Sequence, residues 1–131
     1  MKLLLDTHIW LWSLLEPQKL AKRLVRELES SSNELWLSAI STWETVVLAE
    51  KKRIVIPGEV SAWIAAALKA SPLREAPLTH EVAMETHRVR LTHRDPADRI
   101  LVATARTFNL TLVTADAHLT KLRDIPVLPN R

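Results

Sequence analysis

Short apolar runs that lead straight into helical patterns recur along this chain, and they restrict its architecture more than any other feature. "KLLL" at 2–5 and "ELWLS" at 34–38 read as strands, the first followed by "THIWLWSLL" (7–15) and the second by a helix through "STWETVVLAEKKR" (41–53). "LTLVT" at 110–114 precedes a short helical stretch, "DAHLTKL" (116–122), and "IPVLP" follows near the end. A strand that is apolar at successive rather than alternate positions is buried on both faces. Such strands alternating with helices make parallel βα units, so the expected fold is a three-layer α/β/α sandwich with a mostly parallel central sheet.

The remaining segments fit that plan. From Gln18 to Ser30, Leu20, Leu24 and Leu28 recur every four residues with Ala21 and Val25 beside them, and Lys19, Lys22, Arg23 and Arg26 take the other side, the pattern of an amphipathic helix. "EVSAWIAAALKA" (59–70) and "THEVAMETHRVR" (79–90) read as helices, "IVIP" with Gly58 as a turn, and Pro72 and Pro77 as the brackets of a connector. "DPADRILVATARTFN" (95–109) carries a strong helix start, with Asp95 as N-cap, Pro96 at the first helical position and Asp98 in the first turn. At 131 residues and 47% hydrophobic content, without linker, repeat or low-complexity stretch, one domain over 1–131 is expected.

Composition closes several routes. There is no cysteine, which removes disulfides, thiolate metal sites and cysteine nucleophiles. The single glycine, Gly58, removes the Gly-rich phosphate loops and with them the common nucleotide cofactors. The five histidines match no zinc-ligand spacing, and the five tryptophans lie in apolar stretches that favour packing over base stacking. Lys2 and the leucines after it imitate a signal peptide, but Asp6, Thr7 and His8 interrupt the run and no small-residue cleavage site follows. No apolar run approaches the ~20 residues of a membrane span, so a soluble, cytoplasmic protein is expected.

Four acids hold anomalous positions in this layout. Asp6 ends the first strand, Glu44 lies early in the helix after the second, Asp98 opens a later helix, and Asp116 follows "LTLVT" by two residues. Three of them have a purely structural explanation: Ser41 and Glu44 form an S-x-x-E capping box, Asp98 complements a helix dipole, and Asp116 caps the helix after it; Asp6, at a buried strand end, resists that account. Capping does not require that all four fall at the carboxyl edge of a parallel sheet, where ligands bind. Carboxylates drawn together suppress one another's ionisation unless a cation neutralises them. Oxygen-only donors point to Mg²⁺ or Mn²⁺, with a retained water available as nucleophile.

The quoted motifs "LLLDTHIWLW", "LSAISTWE", "HRDPADRILVATA" and "LTLVTAD", in this order and spacing, resemble the PIN-domain ribonucleases, and within them the VapC toxins of bacterial type II toxin-antitoxin pairs. The resemblance spans nearly the whole chain. It implies a PIN-like fold and places the family's acidic quartet on Asp6, Glu44, Asp98 and Asp116, the positions already selected at the sheet edge. Asp98, directly before "RILVATA", takes the metal-site role and Asp95 reads as the cap. Thr7, Ser38, Arg99 and Thr114 match motif positions as site support. Asp6, Asp98 and Asp116 would hold metal, and Glu44 would orient or deprotonate the attacking water or complete a second metal site. Also implied are an RNA substrate, a cognate antitoxin that obstructs the acidic pocket, a homodimer and a larger toxin-antitoxin complex.

Charge agrees with a polyanionic substrate. The formal charge is +3; with the four acids set aside, 18 basic face 11 acidic side chains, a balance of +7. "THRVRLTHR" (86–94) is basic without an acid, so Arg88, Arg90, His93 and Arg94 are the first choice for phosphate contacts. Two nearby alternatives share the site design: a structure-specific DNA nuclease, and a non-catalytic PIN scaffold binding RNA or protein. A receiver-like signalling domain fits less well, since it needs paired acids after the first strand and only Asp6 stands there.

Overall fold

The structure, a computed structural model, describes residues 1–91 and 95–131. Strands β1 (Lys2–Leu5), β2 (Glu34–Ser38), β3 (Leu73–Ala76), β4 (Thr111–Thr114) and β5 (Val127–Pro129) form one sheet in the order β3-β2-β1-β4-β5. Every neighbouring pair is parallel, so the expected mostly parallel sheet is wholly parallel among the described residues. Strands β2 and β3 extend to one side of β1, whereas β4 and β5 extend to the other. The switch point therefore lies at β1 and β4, whose carboxyl ends lead into Asp6 and Ala115.

Both faces of the sheet are covered, which explains the unbroken apolar run of β1. Successive strand residues point to opposite faces. Leu4 and Leu112 pack with Leu101, Val102 and Ala105 of α6 (Pro96–Phe108), Val82 of α5 (His80–Glu85) and Leu119 of α7 (Ala117–Thr120). Leu3, Leu5, Leu37 and Val113 pack with Ile9 and Trp10 of α1 (Thr7–Leu15), Leu24 of α2 (Lys22–Glu29) and Ala67 of α4 (Val60–Ala70). Helix α3 (Ala39–Glu50) sends Ile40 to the first core and Leu48 to the second. Among the described residues, no helix is long and apolar enough to cross a membrane.

Four local expectations are corrected. The segment between Pro72 and Pro77 is not a connector but edge strand β3, paired to β2 from Leu35↔Leu73 to Ser38↔Ala76. Proline is tolerated at the limits of an edge strand, and the exposed Arg74 and Glu75 hid the apolar signal. The leucine stripe at 20–28 is correct, but the helix starts only at Lys22, after a 3₁₀ turn at Pro17–Lys19. Asn130 accounts for the delay: its Oδ1 accepts from Ala21 N at 2.7 Å and its Nδ2 donates to Lys19 O at 3.0 Å. Helix α3 begins at Ala39 rather than Ser41, capped by Ser38 Oγ, which accepts from Ile40 N at 3.1 Å. Helix α5 stops at Glu85; Thr86–Arg88 form a 3₁₀ turn and Val89 continues as buried extended chain.

Candidate active site

Asp6, Glu44, Asp98 and Asp116, drawn from four separate stretches of sequence, line one cleft of about 340 Å³ at the carboxyl edge of the sheet. Asp95, His8, Trp12 and Ala115 complete the lining. The four acids thus share a cleft as expected, and a fifth acid joins them.

Asp6 takes the N-cap position of α1 without capping it. Its backbone N–H continues the ladder to Val113 O at 2.9 Å, and its carboxylate turns to β4, where Thr114 Oγ1 donates to Oδ2 at 2.7 Å. The same Thr114 oxygen accepts the Asp116 N–H at 3.0 Å, so one buried hydroxyl sets both acids. Asp116 caps α7, accepting from His118 N at 2.8 Å, and its Oδ1 lies 3.2 Å from His118 Nδ1. Across the cleft, Thr7 Oγ1 donates to Glu44 Oε1 at 2.5 Å and hydrogen-bonds the buried Ser41 Oγ at 2.9 Å, joining α1 to α3. Glu44 is therefore held by Thr7, and the Ser41–Glu44 capping box does not form. Asp98 is buried on the first turn of α6, whose N-cap, Asp95, accepts from Ala97 N at 2.9 Å and Asp98 N at 3.3 Å.

Burial pushes the Asp6 carboxyl above its ordinary pKa; the Thr114 bond, the charge of His8 and the Thr7 backbone N–H oppose the rise, and Asp116 adds to it. Burial raises Glu44 too, against its bond from Thr7, with the charges of Asp6, Asp95 and Asp98 adding to the rise. Burial is the main cause of both shifts, and the neighbouring carboxylates add to each. The donor chemistry suits a hard divalent cation, since every acidic donor in the cleft offers oxygen. The acids do not form a finished cage, however: among the described residues no three Asp, Glu or His side chains converge tightly enough to hold an ion by themselves. An ion bound here would draw the carboxylates inward and retain water for part of its coordination.

Residues 3–125 of the chain match the PIN domain. The chain belongs to the PIN-domain family. It is 35% identical over 117 residues to Ribonuclease VapC22 of Mycobacterium tuberculosis, covering 88% of each chain. Its fold is similar to a chain of the VapBC2 structure from Rickettsia felis, solved with a promoter DNA fragment, at a TM-score of 0.73, 17% identity and 98% coverage of both chains. A chain of the DNA-bound VapBC structure from Salmonella typhimurium gives a TM-score of 0.72 at 18% identity, over 100% of this chain and 99% of that one.

Within this PIN domain, Thr7 and Thr114 touch the acids directly, whereas Ser38 acts one step back, as the cap of the helix that carries Glu44. Arg99 is not part of the cleft lining; its Nη2 donates to Thr86 O at 2.7 Å and ties α6 to the 3₁₀ turn. Arg88 and Arg90 are exposed and outside the lining, and His93 and Arg94 lie outside the described residues. His8 and Trp12 were not foreseen as cleft residues. Their i, i+4 spacing, starting two residues after Asp6, is the signal that places them on one helix face beside it.

The distinction between Asp95 and Asp98 is open to a direct test. Asp95→Asn retains a capping oxygen and is expected to leave folding unchanged, whereas Asp95→Ala loses the cap and about 1 kcal/mol of stability. Thermal melts of both variants check this.

Proposed function

We propose that this PIN domain is a metal-dependent endoribonuclease and the toxin of a type II toxin-antitoxin pair. Asp6, Asp98 and Asp116 would hold Mg²⁺ or Mn²⁺, with Glu44 beside the attacking water. When bound, the ion would ease ionisation of that water and stabilise charge on the attacked phosphate. Glu44, with its raised pKa and one carboxylate oxygen engaged by Thr7, is suited to accept the water's proton. Thr114 fixes the carboxylate of Asp6 and the backbone of Asp116, limiting the reorganisation needed when substrate enters.

One observation carries the reading: four acids remote in sequence line a single cleft at the sheet's switch point. The 35% identity to a protein named as a ribonuclease favours RNA over DNA as substrate. The +7 balance of the remaining side chains would attract a polyanion. Similar folds come from VapBC complexes and from FitAB bound to a DNA fragment, which supports a cognate antitoxin as partner and a larger complex.

Cleavage of single-stranded RNA in Mg²⁺ or Mn²⁺, with and without chelator, tests the enzyme. Wild type should cut RNA only with metal and leave branched DNA intact; Asp98→Asn should be inactive. Cutting of branched DNA alone would point to the structure-specific nuclease, and RNA binding without cleavage in either metal would point to the scaffold. Growth arrest on expression, relieved by the adjacent gene's product, tests the toxin role; unimpaired growth would contradict it.

A further inference from the structure

The cleft is not lined by acids alone. His8 and Trp12, one turn apart on α1, line it with Asp6 and Asp116, their ring centroids 5.9 Å apart and their planes inclined at 57°. Trp12 is half-buried: it packs against the α1 side of the core and also borders the cleft. The exposed Lys19, paired with Glu16 at 2.9 Å, places its Nζ 5.5 Å from the centroid of the same indole.

The other tryptophans are differently employed. Trp10 is buried, with its ring 6.2 Å from that of Trp63. Trp36 stacks on Phe108 at 6.2 Å and 22°, and Trp43 is exposed but not part of the cleft lining. Trp12 alone among them joins an aromatic surface to the acids.

We infer that Trp12 is a stacking platform for the nucleobase next to the scissile phosphate, with Lys19 serving the adjoining backbone. The inference rests on the ribonuclease reading and deepens it. A polyanion entering a cleft of carboxylates meets repulsion everywhere except at a bound cation. An indole face attracts any base without net charge, and every base has a face to offer it. Packing of Trp12 against the core limits the freedom it would lose on binding. The exposed cation on its ring is held weakly enough to yield to a base or to turn to a phosphate. A cleft of about 340 Å³ lies at the small end of ligand sites, suited to a single unstacked nucleotide rather than a duplex.

The test is a cycle between protein and substrate. A defined single-stranded RNA with one cleaved bond is prepared intact and with a single abasic residue at each position flanking that bond. On intact RNA, Trp12→Ala should lower kcat/KM about tenfold or more, mostly through KM. One abasic position should impose a similar loss on wild type, and the two together should cost no more than either alone. Trp12→Phe should recover most of the loss. Trp12→Leu, which fills the apolar volume without an aromatic face, should fold normally by thermal melt and remain impaired.

Losses that multiply at every abasic position, or full activity of Trp12→Ala, would overturn the stacking assignment while leaving the ribonuclease intact. Loss of antitoxin binding by Trp12→Ala with unchanged cleavage would likewise overturn it, assigning the indole to the partner. Failure of wild type to cut the intact RNA would strike the parent reading, and the platform with it.

Discussion

Asp6→Asn is expected to lower RNA cleavage at least about a thousandfold, the scale reached when one member of a group of residues acting as a unit is removed. It is also expected to raise the melting temperature of the metal-free protein. Both effects come from the same carboxyl group. Asp6 is 9% exposed, and burial pushes its pKa above the ordinary value despite the bond from Thr114. The folded state therefore holds its proton to a higher pH than the unfolded chain does. Stability contributed by the protonated group is fully present below the ordinary aspartate pKa and falls as pH rises from there through the raised one.

Glu44, also raised, acts in the same direction. Asparagine removes the buried charge and keeps an oxygen that can accept from Thr114, so the variant should lose part of this pH dependence as it gains stability near neutrality. Melting curves of metal-free wild type and Asp6→Asn across mildly acidic to neutral pH provide the check. A variant less stable than wild type at neutral pH would mean that the Asp6 carboxylate is a structural anchor rather than a strained functional group.

Thr114→Val is the second large effect, and it reverses the sign on stability. The side chain keeps its volume at a fully buried position but loses its hydroxyl. Asp6 Oδ2 loses a donor and the Asp116 N–H loses its acceptor. Leaving the buried Asp6 oxygen and the part-buried Asp116 N–H unpaired costs about 1–3 kcal/mol, which lowers Tm by about 5–10 °C in a domain of this size. Cleavage should fall by about 10- to 100-fold, as for residues that orient ligands from behind. Thr114→Ser, which keeps the hydroxyl, should recover most of the activity. Stability and cleavage unchanged in Thr114→Val would show that the hydroxyl does not set the two acids.

The parallel sheet was legible because β1, β2 and β4 are written as short apolar runs, and their helices follow at once. Edge strand β3 was not: a strand with only one paired neighbour can expose Arg74 and Glu75, and its two prolines resemble the limits of a loop. The start of α2 depended on Asn130, more than a hundred residues away in the chain, and no local pattern encodes that contact. The acids were legible for a different reason, since helix capping could explain Glu44, Asp98 and Asp116 singly but neither Asp6 nor the common edge of all four. Sequence position misassigned the partner of Glu44, which is Thr7 on another helix rather than Ser41 in a capping box. The aromatic part of the lining was the least legible: the i, i+4 spacing sets His8 and Trp12 on one helix face, but an apolar helix that feeds the core does not show that this face borders the cleft.

Manganese binding followed by electron paramagnetic resonance addresses the acidic cleft itself, independently of any RNA. Wild type should bind Mn²⁺ saturably, and Asp6→Asn, Asp98→Asn and Asp116→Asn should each weaken that binding at least about tenfold. Equal Mn²⁺ affinity in wild type and all three variants, or none in wild type, would contradict the claim that these acids share one ion.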